Sequence, residues 1–135
     1  MGQVEQFPGR AITSQVDIEV VRRSVRALAL GHAFSTPAAG ELELVVSELA
    51  TNILRHSRGG ELALSCEASD ARTALSVVAT DRGPGIADLG RAFSDGFSTG
   101  DGLGLGLGLV RRLVDEITVE TGETSTRITV RKWRA

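Results

Sequence analysis

Glu48 and Asn52 stand four residues apart in the run SELATN (residues 47–52) and so project from the same side of a helix. Leu42, Val45, Val46, Leu49 and Ile53 supply the apolar stripe of that helix, and the two polar residues lie at its border. A carboxylate and a carboxamide there are costly unless each finds a partner. A magnesium-nucleotide site would give them one: Asn52 Oδ1 is a hard oxygen ligand of the kind Mg²⁺ takes, and Glu48 can serve as a base beside a transferred phosphate. From the pair alone, an ordinary helix border with both groups in water is the favoured reading.

A second candidate is Asp81, at the close of an apolar run over residues 75–79 and followed by Arg82, Gly83, Pro84 and Gly85. A carboxylate at the end of a buried strand can accept a hydrogen bond from an exocyclic amine, and Gly83 and Gly85 let the backbone approach an aromatic base. A plain turn is the competing use of such a sequence. The third candidate is GLGLGLG, with Gly102, Gly104, Gly106 and Gly108 leading into an apolar run at Val110 and Leu113. It is not GxGxxG, because position 107 is leucine. Each glycine costs about 1 kcal/mol in a helix interior, so the segment reads as a loop and first turn whose N–H groups can face a phosphate. A flexible linker is the alternative, although linkers are rarely so rich in leucine. Each candidate supplies a different part of one ligand: Mg²⁺ at Glu48 and Asn52, a base at Asp81, phosphates at the glycines. Together they describe ATP.

Apolar periodicity sets the elements that must hold these groups in place. Residues 11–16 read as a short first strand. Asp17 then caps a helix with Ile18, Val21, Val25, Leu28 and Ala29 on its buried side, stopped by Gly31. Thr36 as N-cap, with Pro37 at the first helical position, opens a second helix that runs to about Ser57. On this helix Arg55 reads as a solvated side chain, with a phosphate contact as the alternative, and His56 falls in the stripe as a packed side chain rather than a catalyst. Residues 61–68 and 73–80 are paired strands, residues 109 to about 115 a helix, and residues 117–121 and 126–133 two closing strands. The order predicts an α/β two-layer sandwich, a mixed β-sheet with helices on one face, as a single domain over residues 1–135.

Composition narrows the chemistry further. The 135 residues carry a net charge of −2 and 16 glycines, nine of them between Gly83 and Gly108. A lone Cys66 excludes an internal disulfide and a CxxC metal site, and fits a reducing cytoplasm. His32 and His56 lack a paired ligand spacing, which argues against zinc. The sole lysine, Lys132, is far from the glycines, so no Walker A loop exists. No apolar run is long enough to span a membrane, and the charge gives no strong basic field for nucleic acid. The groups Arg22, Arg23, Arg26 and Arg111, Arg112 are candidate contacts for an acidic protein, or solvated helix faces.

SELATN, DRGPG and GLGLGLG, in this order and spacing, resemble the N, G1 and G2 boxes of the superfamily of gyrase, heat-shock chaperone, histidine kinase and MutL ATPases, with its histidine-kinase-like ATPase fold. DGFSTGDGLGLGL, RRLVDE and the closing RKWR are similar to the small serine/threonine switch kinases of bacterial sigma-factor pathways, the RsbT type. The chain departs from that subgroup at Gly108 and Leu109, where Pro-Gly is usual, at Ser125, where glycine precedes threonine, and at His56, which looks like the anti-sigma branch. The resemblance implies Glu48 as the base that activates a substrate hydroxyl, Asn52 as the Mg²⁺ ligand, Asp81 as the adenine selector and Thr126 as its assistant. It implies a nucleotide lid over residues 88–99 with hinges at Gly90, Gly96 and Gly100. With only the catalytic module and no phosphoacceptor-histidine helix, the phosphate is expected to go to Ser or Thr of a separate STAS-type antagonist, with a phosphatase or sigma factor as further partner. An anti-sigma factor that sequesters sigma under ATP control is the alternative reading. A simple ATPase or a degenerate nucleotide sensor is another.

Overall fold

Five strands form one sheet in the order β1-β2-β3-β5-β4 in the computed structural model, which describes residues 2–82 and 106–135. The elements along the chain are β1 (Gln3–Ala11), α1 (Gln15–Gly31), α2 (Thr36–His56), β2 (Gly60–Ala68), β3 (Thr73–Arg82), α3 (Leu107–Leu113), β4 (Glu116–Thr121) and β5 (Ser125–Trp133). All four strand pairings are antiparallel, so the sheet among the described residues is antiparallel rather than mixed. The helices cover one face, as the apolar patterns require.

Strand alternation decides which face that is. Leu62, Leu64 and Cys66 of β2, Leu75, Val77 and Ala79 of β3, and Ile128 and Val130 of β5 are buried at every second position. They meet the stripe Ile18, Val21, Val25 and Leu28 of α1 and the stripe Leu42, Val45, Val46, Leu49 and Ile53 of α2 in a continuous core. Full burial of each such side chain stabilises the fold by about 1.5–3 kcal/mol. Truncating Leu49, at the centre of α2 and 1% exposed, to alanine would cost about 2–5 kcal/mol. Burial also pushes the Cys66 thiol up to about 11, with Glu5 adding to the effect, which leaves it inert at neutral pH.

The chain start differs from the periodic reading. The first strand is Gln3–Ala11, not residues 11–16, and it is exposed along its length except at half-buried Phe7. An edge strand that covers little has no hydrophobic alternation to reveal it. Pro8 and a register shift between Phe7 and Arg10 interrupt its pairing with β2, as is usual at a sheet edge. Asp17 is not the N-cap of α1. Ser14 is, and Asp17 sits one turn in, where its carboxylate accepts hydrogen bonds from the Thr13 N–H (2.9 Å), the Thr13 hydroxyl (2.9 Å) and the Ser14 N–H (3.1 Å). Arg10 Nε adds a 3.0 Å ion pair. These donors hold the Asp17 carboxyl at about 2. At the second helix the cap is Ser35 rather than Thr36. Its hydroxyl accepts from the Ala38 N–H at 3.2 Å, with proline in the first turn. The other boundaries fall within two residues of the periodic reading.

Candidate functional site

The register of the central strands assembles one end of the helix-covered face. Asp81 pairs with Gly60 on β2 and with Thr126 on β5, and it shares its face with Ala79, Leu62 and Ile128. Removal from water raises the pKa of its carboxyl above the ordinary 3.8. Beside it, Thr126 is 2% exposed, and its hydroxyl has no hydrogen-bond partner among the described residues. A buried, unpartnered hydroxyl costs about 1–3 kcal/mol. A desolvated carboxylate and an orphan hydroxyl in adjacent strands form a polar edge that a ligand with donors and acceptors would satisfy.

Gly60 is part of this edge and was not singled out from the sequence, where it reads as half of a Gly-Gly turn. A Cβ at Gly60 would stand 2.9 Å from Asp81 Cβ and closer still to the Thr80 carbonyl oxygen. The chain reaches this close approach through Gly59 at φ +128, and the Arg58 N–H donates to the Arg82 carbonyl at 2.7 Å. The sequence signal was available only as register, because Gly60 faces Asp81 across strands joined by a hairpin.

Glu48 and Asn52 lie one turn apart on α2, both half-buried. Gly106, the N-cap of α3, comes up against the Glu48 carboxylate: a Cβ at 106 would lie 2.7 Å from Glu48 Cδ and closer to Oε2. Its φ of +68 is left-handed, so glycine is favoured there on both grounds. Gly108 is buried in the first turn of α3 between Leu107 and Val110, which anchor the helix in the core. The reading of the glycine segment as loop and first turn therefore holds at its described end. Gly83, Gly85, Gly102 and Gly104, with the lid over residues 88–99 and its hinges Gly90, Gly96 and Gly100, lie outside the described residues.

The structure brings together Glu48 with Gly106, and Asp81 with Thr126. Arg55 and His56 are both exposed on the last turn of α2. His56 is thus not a packed side chain, because α2 ends there and the Ser57 hydroxyl donates to the Ile53 carbonyl at 2.7 Å. Of the first arginine group, Arg22 pairs with Glu19 and Arg26 with Glu43, and Arg23 has no ion pair among the described residues. Among the described residues no three His, Cys, Asp or Glu side chains converge as a metal cage. A cation beside Asn52 would need most of its ligands from a bound phosphate and water, which is the manner of Mg²⁺. Among the described residues no helix is long and apolar enough to cross a membrane.

A two-layer sandwich with a helix-borne carboxylate and carboxamide, a strand-end aspartate and a glycine-led helix defines a recognisable class. Residues 13–132 match the histidine kinase-like ATPase domain family, and the chain belongs to that family. The chain is also similar to the serine/threonine-protein kinase RsbT of Bacillus subtilis (strain 168), at 36% identity over 124 residues spanning 90% of this chain and 92% of the relative.

Proposed function

We propose that this chain is an ATP-dependent protein serine/threonine kinase that phosphorylates a STAS-type antagonist protein in a cytoplasmic partner-switching pathway controlling a sigma factor or stress response. A kinase-type ATPase domain across nearly the whole chain, and a relative named as a serine/threonine-protein kinase, support the enzyme class. The observation that carries the reading is the Glu48 carboxylate against Gly106, a base at the last glycines of the GLGLGLG segment.

On this reading each residue takes the following part. Asp81 accepts the exocyclic amine of adenine, the Thr126 hydroxyl completes that edge, and Gly60 keeps it open. Gly102, Gly104, Gly106 and Gly108 offer backbone N–H groups to the phosphates, and Gly83 and Gly85 admit the base. Asn52 holds Mg²⁺, which when bound neutralises charge on the phosphate oxygens. The oxygen of the acceptor hydroxyl attacks the γ-phosphorus while its proton passes to Glu48. The bond from the γ-phosphorus to the bridging oxygen breaks, and ADP leaves with the electron pair. Such transfer depends mainly on positioning, which half-buried groups on a packed helix provide.

Incubation with Mg-ATP and a cognate STAS-domain protein, followed by mass spectrometry of the acceptor, tests this. One phosphate on an acceptor Ser or Thr is the expected product. ATP hydrolysis at an unchanged rate with the acceptor left unmodified would instead indicate a simple ATPase.

A further inference from the structure

α3 lies beside α2 and is held at both ends. At its start Gly106 abuts Glu48. At its close the carbonyl of Leu113 accepts a hydrogen bond from Lys132 Nζ at 2.6 Å, and the same ammonium stands 3.3 Å from Glu41 Oε1 on α2. Lys132 reaches this junction from β5, on the helix-covered face that Val130 and Ile128 also occupy, and its side chain is only 15% exposed.

The two attachments match in length. Glu41 and Glu48 are seven positions apart on one side of α2, about 10.5 Å at the helical rise. Gly106 and Leu113 are also seven positions apart, so α3 covers the same span in the opposite direction. Leu107 and Val110 bind α3 to the core, but apolar contact is non-directional and tolerates sliding along the helix axis. A charge-assisted hydrogen bond to the last carbonyl does not tolerate it.

We propose that Lys132, paired with Glu41, is a positioning residue that fixes the register of α3 along α2 and so holds Gly106 against the Glu48 carboxylate. The inference rests on the reading of Glu48 as the base, although the geometric part can be tested without it. Lys132→Met removes the hydrogen bond to the Leu113 carbonyl and the pair with Glu41, leaving beyond the helix end only the hydrogen bonds that tie Asp115 to β5, and should let α3 slide. Lys132→Arg can still donate to the Leu113 carbonyl and pair with Glu41. Arg26→Met is the control, because it breaks the 3.0 Å pair to Glu43 on the same helix but toward α1.

Two readouts separate positioning from general loss of stability. In the nucleotide-free protein the backbone amide resonance of Gly106 should move in Lys132→Met, return toward its wild-type position in Lys132→Arg and stay in place in Arg26→Met. In phosphoryl transfer Lys132→Met should lower kcat roughly 10- to 100-fold, as sub-ångström to ångström misplacement does, with KM for ATP changed less than threefold and activity largely recovered in Lys132→Arg. An unmoved Gly106 resonance in Lys132→Met, or a kcat within twofold of wild type, overturns the proposal. A moved resonance in a protein whose wild type transfers no phosphate supports the positioning and counts against the kinase reading instead.

Discussion

Gly106 closes on the Glu48 carboxylate so tightly that no side chain fits between them: a Cβ at 106 would stand 2.7 Å from Glu48 Cδ. Gly106→Ala should therefore both strain the left-handed residue, by about 1–2 kcal/mol, and push the carboxylate aside. The expected result is at least a tenfold fall in kcat, on the scale of small misplacements. Gly40→Ala provides the contrast. Position 40 lies in α2 with open space around it, so alanine there should stabilise the protein by about 0.5–1 kcal/mol and leave transfer unchanged. Urea unfolding and steady-state kinetics on the two variants check both statements.

Thr126 gives a prediction of mixed sign. Among the described residues its buried hydroxyl has no hydrogen-bond partner, so Thr126→Val should raise stability, measured without added nucleotide, by about 1 kcal/mol. The same change removes a group assigned to the nucleotide, and ADP affinity should fall about five- to tenfold. Calorimetric titration with ADP, alongside thermal unfolding, measures both. Loss of stability with unchanged affinity would place the hydroxyl in the fold rather than in the site.

Asp81 sets a pH dependence. Its raised pKa means that the folded protein prefers the protonated carboxyl. The stability it gives is full below the unfolded value of 3.8 and is lost as pH rises through the raised folded value. Asp81→Asn should therefore unfold at higher urea than wild type at pH 7. Adenine needs the opposite form, because only the ionised carboxylate is a pure acceptor. ADP affinity should weaken as pH falls through the raised value of the folded carboxyl, and Asp81→Asn should bind weakly at every pH.

How much of this was legible in the sequence depends on what each feature requires. α2, β2, β3 and β5 could be read because each buries a periodic face. β1 could not, because an exposed edge strand interrupted by Pro8 and Gly9 has no buried face to repeat. The capping of α1 was misplaced by three residues, since Asp17 carries the capping chemistry from inside the first turn. Glu48, Asn52 and Asp81 stood out as polar residues on apolar elements. Thr126 came only through resemblance, and Gly60 not at all, since their meaning lies in cross-strand register with Asp81. The contact of Glu48 with Gly106 depends on how α3 lies along α2, which no local pattern encodes.

Asp17 predicts an acid limb. Hydrogen bonds from Thr13, with Arg10 beside it, hold its carboxyl at about 2 against an ordinary 3.8. The stability it provides is complete above 3.8 and disappears as pH falls through about 2. Asp17→Asn should lower Tm by a few degrees at pH 7, and the gap from wild type should close as pH approaches 2. A gap independent of pH would assign the effect to packing rather than charge.

The central claim is that Glu48 takes the proton of the acceptor hydroxyl. The most direct test is single-turnover transfer from Mg-ATP to the STAS-domain acceptor by wild type and Glu48→Gln, with ADP affinity measured on the same preparations. Glutamine keeps the shape and the contact with Gly106 but is not a base. The account predicts a rate reduced about 10²–10⁴-fold with ADP affinity within threefold of wild type. Transfer by Glu48→Gln at close to the wild-type rate would contradict it.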